Sequence, residues 1–60
     1  MSGSVWDYHT GEDYIRIEIV KGDEVIGLVA EIPLSGLDED GVTQAEYAAD
    51  ALCRVYNGGN

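Results

Sequence analysis

Few residues in this chain could act on a ligand or substrate, and their spacing decides what each can do. Asp38-Glu39-Asp40-Gly41 gathers three carboxylates ahead of a glycine, the raw material of a calcium loop. An EF-hand loop needs oxygen ligands at alternate positions, a glycine at the sixth and a glutamate at the last. With Gly41 as that glycine, the first position falls on Gly36, which carries no carboxylate, and Glu46 arrives one residue early. The run therefore reads as a solvated acidic connector before a helix, whose N-terminus favours negative charge. No metal ligand is assigned to it.

His9 is the lone imidazole and Cys53 the lone thiol. A general base needs a nucleophile and an orienting group around it, and the sequence supplies neither near His9. Cys53 falls on a predicted helix while His9 ends a predicted strand, so nothing local joins them. Cys53 reads as a buried small hydrophobe or an interface contact rather than a reactive thiol. One cysteine makes no intrachain disulfide, and one histidine rules out a Cys/His zinc cluster. Without a Ser/His/Asp constellation or a phosphate-cradling glycine loop, no catalytic residue, no cofactor and no enzymatic activity are expected.

Charge is the outlying property. Twelve carboxylates face only Arg16, Lys21 and Arg54, for a net −9. Such a surface repels nucleic acid and anionic lipid and speeds encounter with basic surfaces. At 45% apolar residues the chain is still a folding sequence, not an acidic disordered tail. Residues 1–60 are expected to form one small domain. The opening residues show no basic-then-apolar leader pattern, and no apolar run approaches the roughly 20 residues of a membrane helix. With a single thiol, a reducing, cytoplasmic location is expected. So short a chain buries little of its surface, which makes self-association a natural source of extra burial.

The elements that must position these residues are legible as periods. In Tyr14–Lys21, Ile15, Ile17 and Ile19 alternate with Tyr14, Arg16 and Glu18, the period of a half-buried strand. Glu24–Ile32 places Ile26, Leu28, Ala30 and Ile32 on one face. Gly22-Asp23 suits a two-residue primed turn between the two runs, which sets Ile19 opposite Ile26, Ile17 opposite Leu28, Ile15 opposite Ala30 and Lys21 opposite Glu24. Val5–His9 is the expected first strand, joined through Thr10–Asp13, with Trp6 opposite Ile17, Tyr8 opposite Ile15 and Asp7 facing Arg16. Thr43-Gln44-Ala45-Glu46 matches a capping box, with a staple between Val42 and Tyr47. A helix is expected from there, with Ala45, Ala48, Ala49, Leu52 and Tyr56 as a small-residue stripe and Asn57-Gly58-Gly59 as its stop. The expected architecture is α+β: a three-stranded antiparallel meander with one C-terminal helix on its apolar face, β-β-β-α.

Trp6 and Tyr8 point inward in this register. Tyr14, Val20, Val25 and Val29 fall on the opposite face, more apolar than solvation requires, and form the candidate dimer or partner face. Gly27, expected opposite Glu18, suggests a bulge, and the third strand would be a free sheet edge.

In size, acidity and strand-then-helix plan, with Ile32-Pro33-Leu34-Ser35-Gly36-Leu37-Asp38-Glu39-Asp40 running into an alanine-rich helix, the chain resembles the small acidic proteins that phages encode against bacterial defences, anti-CRISPR proteins among them. That resemblance implies stoichiometric inhibition in the host cytoplasm. Carboxylates would compete with nucleic-acid phosphates for the lysines and arginines of a protein partner, without direct contact to nucleic acid or membrane. The residues assigned to this contact are Asp38, Glu39 and Asp40, with Glu12 and Asp13 as a second patch. These proteins share no catalytic motif, so no functional residue is carried over. The alternative is a small homodimeric structural or adaptor protein. A small-ligand binder is disfavoured, because the chain offers little room for a pocket.

Overall fold

The computed structural model describes residues 3–58. Strands β1 (Ser4–Thr10), β2 (Tyr14–Lys21) and β3 (Glu24–Pro33) precede one helix, α1 (Glu39–Tyr56). The strands form an antiparallel sheet in the order β1-β2-β3, and α1 packs chiefly over β1 and β2. This is the expected β-β-β-α plan. Ile15, Ile17, Leu34, Ala49 and Cys53 are buried, with Trp6, Tyr8, Val29, Ala30, Ile32, Val42 and Ala45 packed partly buried against them.

The second hairpin turns where expected. Lys21 lies opposite Glu24, and Gly22 takes φ +63° while Asp23 does not take positive φ, as the II′ member of the primed turns requires. Beyond the turn the register departs from a plain ladder. Ile19 faces Gly27 rather than Ile26, Ile17 faces Ala30 rather than Leu28, and Ile15 faces Ile32 rather than Ala30. Register shifts between Ile19 and Val20 and between Ile17 and Glu18 leave Ile26 and Val29 as the unpaired extra residues of β3. At the first, the Ile19 side chain lies over Gly27: a Cβ there would sit 3.3 Å from Ile19 Cδ1. Glycine thus admits the isoleucine, as a bulge next to a close approach allows.

Two bulges restore the inward face by Ala30, but the residues between them move. Leu28, expected inside, lies opposite Glu18 and is 59% exposed, and Ile26 is 53% exposed. Val29, expected outside, packs against the core.

The first hairpin is tighter than its composition suggested. Gly11 N–H donates to Tyr14 C=O at 2.7 Å, so Glu12 and Asp13 alone form the tip. The register is displaced by two residues from that expected: Trp6 faces Ile19, Tyr8 faces Ile17, Asp7 faces Glu18 and His9 faces Arg16. An even displacement keeps Trp6 and Tyr8 on the core side.

The helix starts earlier than the capping box indicated. Asp38 is the N-cap, its Oδ1 accepting from Gly41 N–H at 2.8 Å. Thr43 sits inside the helix, its hydroxyl donating to the Glu39 carbonyl, and Glu46 reaches across to accept from the Thr10 hydroxyl at 2.8 Å. The expected staple is absent as a buried pair, since Tyr47 is largely exposed. An aspartate cap satisfies the same orphan amides as threonine would, and it adds charge where the helix dipole favours it. At the other end, Gly58 at φ +78° closes the helix, its N–H donating to the Val55 carbonyl. Gly59, expected to share in that stop, lies outside the described residues.

Candidate functional site

The chain runs its helix antiparallel to β1, which decides where the carboxylates gather. Thr10, at the end of β1, meets Glu46, while Trp6, near its start, meets Tyr56 and Asn57. The helix N-terminus therefore lies at the end of the sheet that carries the β1–β2 tip. The connector ties the two together. Leu34 N–H donates to the Asp13 carbonyl at 2.8 Å, and Leu37 N–H to the Leu34 carbonyl at 3.1 Å, directly before Asp38. Glu12 and Asp13 at the tip and Asp38, Glu39 and Asp40 in the cap and first turn thus share one pole of the molecule. The sequence treated these as two separate patches on loops. Three of the five instead belong to the helix and its cap, which holds their backbone rigid.

The pole stays negative because two of the three cations lie elsewhere and the third, Arg16, is held by another carboxylate. Arg54 pairs with Asp50 at 2.9 Å one turn back on the helix, and Lys21 lies opposite Glu24 at the far hairpin. Arg16 lines an open cleft of about 270 Å³ with His9, Gly11, Glu12, Asp13 and Tyr14, but its guanidinium is held by Glu31 at 2.8 Å. His9 Nε2 lies 3.3 Å from Glu18. A helix N-terminus offsets part of the charge of Glu39 and Asp40, but it neutralises no carboxylate.

Among the described residues no group of three or more His, Cys, Asp and Glu side chains converges as a metal site would need. Cys53 lies buried against the sheet, far along the helix from the pole. Burial, and then the negative charges of Asp7 and Asp50, push its thiol above the ordinary range, which disfavours the nucleophilic thiolate.

Of the residues assigned to a dimer or partner face, Tyr14 and Val25 are exposed and Val20 is half-buried. Val5, Val20 and Val25 are directly opposed across the three strands, on the face away from α1. Val29 is not part of that surface. The bulge has turned it to the core, and Leu28 stands outside in its place.

The sequence missed one residue whose effect reaches beyond its own element. Asn57, legible only as a helix stop, clamps the backbone of β1 at Trp6. Nothing local marks it, because its partner lies far away in sequence. No protein-family model, curated protein or solved structure matches the chain.

Proposed function

We propose that this chain is a non-enzymatic, stoichiometric inhibitor, phage-encoded, that seats its acidic pole on the basic nucleic-acid-binding surface of a bacterial defence complex in the host cytoplasm. The observation that carries the reading is the convergence of Glu12, Asp13, Asp38, Glu39 and Asp40 at one end, with all three cations of the chain held by or facing other carboxylates.

Carboxylates gathered at one end of a short frame resemble the phosphates of a nucleic-acid backbone in charge. Lysines and arginines arranged for phosphates would accept it, releasing the same kind of counterions. The field of a strongly negative chain would also raise the association rate with a basic surface and suppress it with acidic ones. Backbone order matters here: groups on a cap and a tight hairpin need little further ordering on binding.

A tagged chain incubated with bacterial lysate at low and at high salt, with the retained proteins identified by mass spectrometry, tests the reading. Retention of a nucleic-acid-binding complex at low salt and its release at high salt is the expected outcome. Retention that is indifferent to salt, or of proteins lacking a basic surface, would remove its basis.

A further inference from the structure

The two edges of the sheet are treated differently. On β1, Asn57 occupies both backbone groups of Trp6, and the Asp7 carboxylate accepts from Tyr8 N–H at 2.8 Å. Glu46 reaches over to Thr10 on the same strand. That edge is blunted. The outer edge of β3, bent by the bulges at Ile26 and Val29, has no hydrogen-bond partner among the described residues. Beside it stand Val25, Ile26 and Leu28, each more than half exposed. The helix does nothing to shield them, since it lies chiefly over β1 and β2.

We propose that β3 pairs antiparallel with β3 of a second copy, joining the two sheets into one six-stranded sheet about a two-fold axis near Leu28. An unpaired strand edge selects another extended strand, because only a strand offers matching donors and acceptors in a row. Charge admits a second copy despite the chain's net −9. The two carboxylates of β3 are each set beside a cation of β2, Glu31 bonded to Arg16 and Glu24 opposite Lys21. The edge itself is thus close to neutral. The surplus charge lies at the Pro33 end of the strand, so antiparallel pairing places the two acidic poles at opposite ends, roughly 30 Å apart at about 3.3 Å per residue. Parallel pairing would set them side by side.

Need points the same way. A core of five buried residues among those described, three of them large, is small for an independent domain. An isologous strand pair adds apolar cover where the single chain lacks it. The pairing does not rest on the inhibitory reading, and either can fail alone.

Sedimentation equilibrium of the full chain over a range of concentrations tests the proposal, beside Leu28→Lys, Val25→Lys and Leu52→Lys. The wild type is expected at twice the mass of one chain, dissociating on dilution. Leu28→Lys and Val25→Lys, at exposed positions, should sediment as single chains with unchanged far-ultraviolet dichroism, while Leu52→Lys remains paired. A wild type that stays monomeric at all concentrations would overturn the proposal. So would a dimer abolished by Leu52→Lys but not by the β3 variants. Should a β3 variant fail to fold, hydrogen exchange of the wild type decides: outward-facing amides of β3 gain protection with concentration if the strands pair, and none do otherwise.

Discussion

Asn57 holds Trp6 by both of its backbone groups: Oδ1 accepts the Trp6 N–H at 2.8 Å and Nδ2 donates to the Trp6 carbonyl at 2.9 Å. The side-chain amide takes the place of a neighbouring strand at that point of β1. Next to it the Tyr56 ring lies stacked on Trp6, with centroids 3.5 Å apart and planes at 10°. The end of the helix is thereby fixed to the start of the sheet, which sets the direction of α1 and so the position of the acidic pole at its other end.

The clamp predicts an asymmetry between two substitutions. Asn57→Ala removes both bonds and should cost about 1–2 kcal/mol, or a fall of several degrees in melting temperature at this size. Asn57→Asp keeps the acceptor for the N–H but sets a carboxylate oxygen against the Trp6 carbonyl, and should cost at least as much. Urea unfolding followed by tryptophan fluorescence measures both. Equal stability of all three chains would show that the clamp adds nothing.

A second prediction separates the observed cap from the one the sequence suggested. Asp38→Ala should destabilise by about 1 kcal/mol, because Gly41 N–H loses its acceptor. Thr43→Ala should change stability by less than about 0.5 kcal/mol, since its hydroxyl only doubles a bond to the Glu39 carbonyl inside the helix. Thermal melts of the two variants side by side distinguish the cases. The reverse order would restore Thr43 as the cap.

The sequence failed at the cap because two start signals overlap. Asp38 and Thr43 are both good caps, and glycine at 41 between them is a poor helix former. The helix runs through Gly41 because its N–H serves the Asp38 cap. The strands were more legible. Alternation at Ile15, Ile17 and Ile19 fixed β2 and its inward face, and Gly22 fixed the second turn. The bulges at Ile26 and Val29 were not legible beyond the hint of Gly27, and the first depends on how the Ile19 side chain meets the neighbouring strand. For the site, all five carboxylates were visible as types. Their meeting at one pole follows from the direction of α1 and the Leu34–Asp13 bond, both tertiary.

Core substitutions should be felt out of proportion to their size. Ile17 is 1% exposed in a buried cluster of five residues. Ile17→Val should cost about 1 kcal/mol and Ile17→Ala about 2–5 kcal/mol, enough to unfold a marginal domain of this length. Far-ultraviolet dichroism against urea is the measurement. A folded Ile17→Ala chain of near wild-type stability would place the core elsewhere.

Cys53 links stability to alkaline pH. Its folded-state pKa is raised, first by burial and then by Asp7 and Asp50, so the folded chain prefers the neutral thiol more than the unfolded chain does. The stabilisation is complete below the thiol's unfolded pKa and is lost as pH rises through the folded value. Cys53→Ala should flatten the alkaline decline of the melting temperature. Modification by a thiol reagent at neutral pH should be slow in the wild type and fast once urea unfolds it. Rapid modification of the folded chain at neutral pH would refute the buried, neutral thiol.

Occupation of a nucleic-acid site by the acidic pole, as proposed, is tested by displacement: a labelled nucleic acid bound to the complex retained from lysate, titrated with the wild type and with a chain carrying Glu12→Gln, Asp13→Asn, Asp38→Asn, Glu39→Gln and Asp40→Asn. Asparagine at position 38 still caps the helix, so the variant loses charge without losing the fold. The wild type is expected to release the nucleic acid at low salt, higher salt to weaken the release, and the neutralised chain to release little. A ternary complex in which chain and nucleic acid stay bound together, or equal displacement by the neutralised chain, would contradict it.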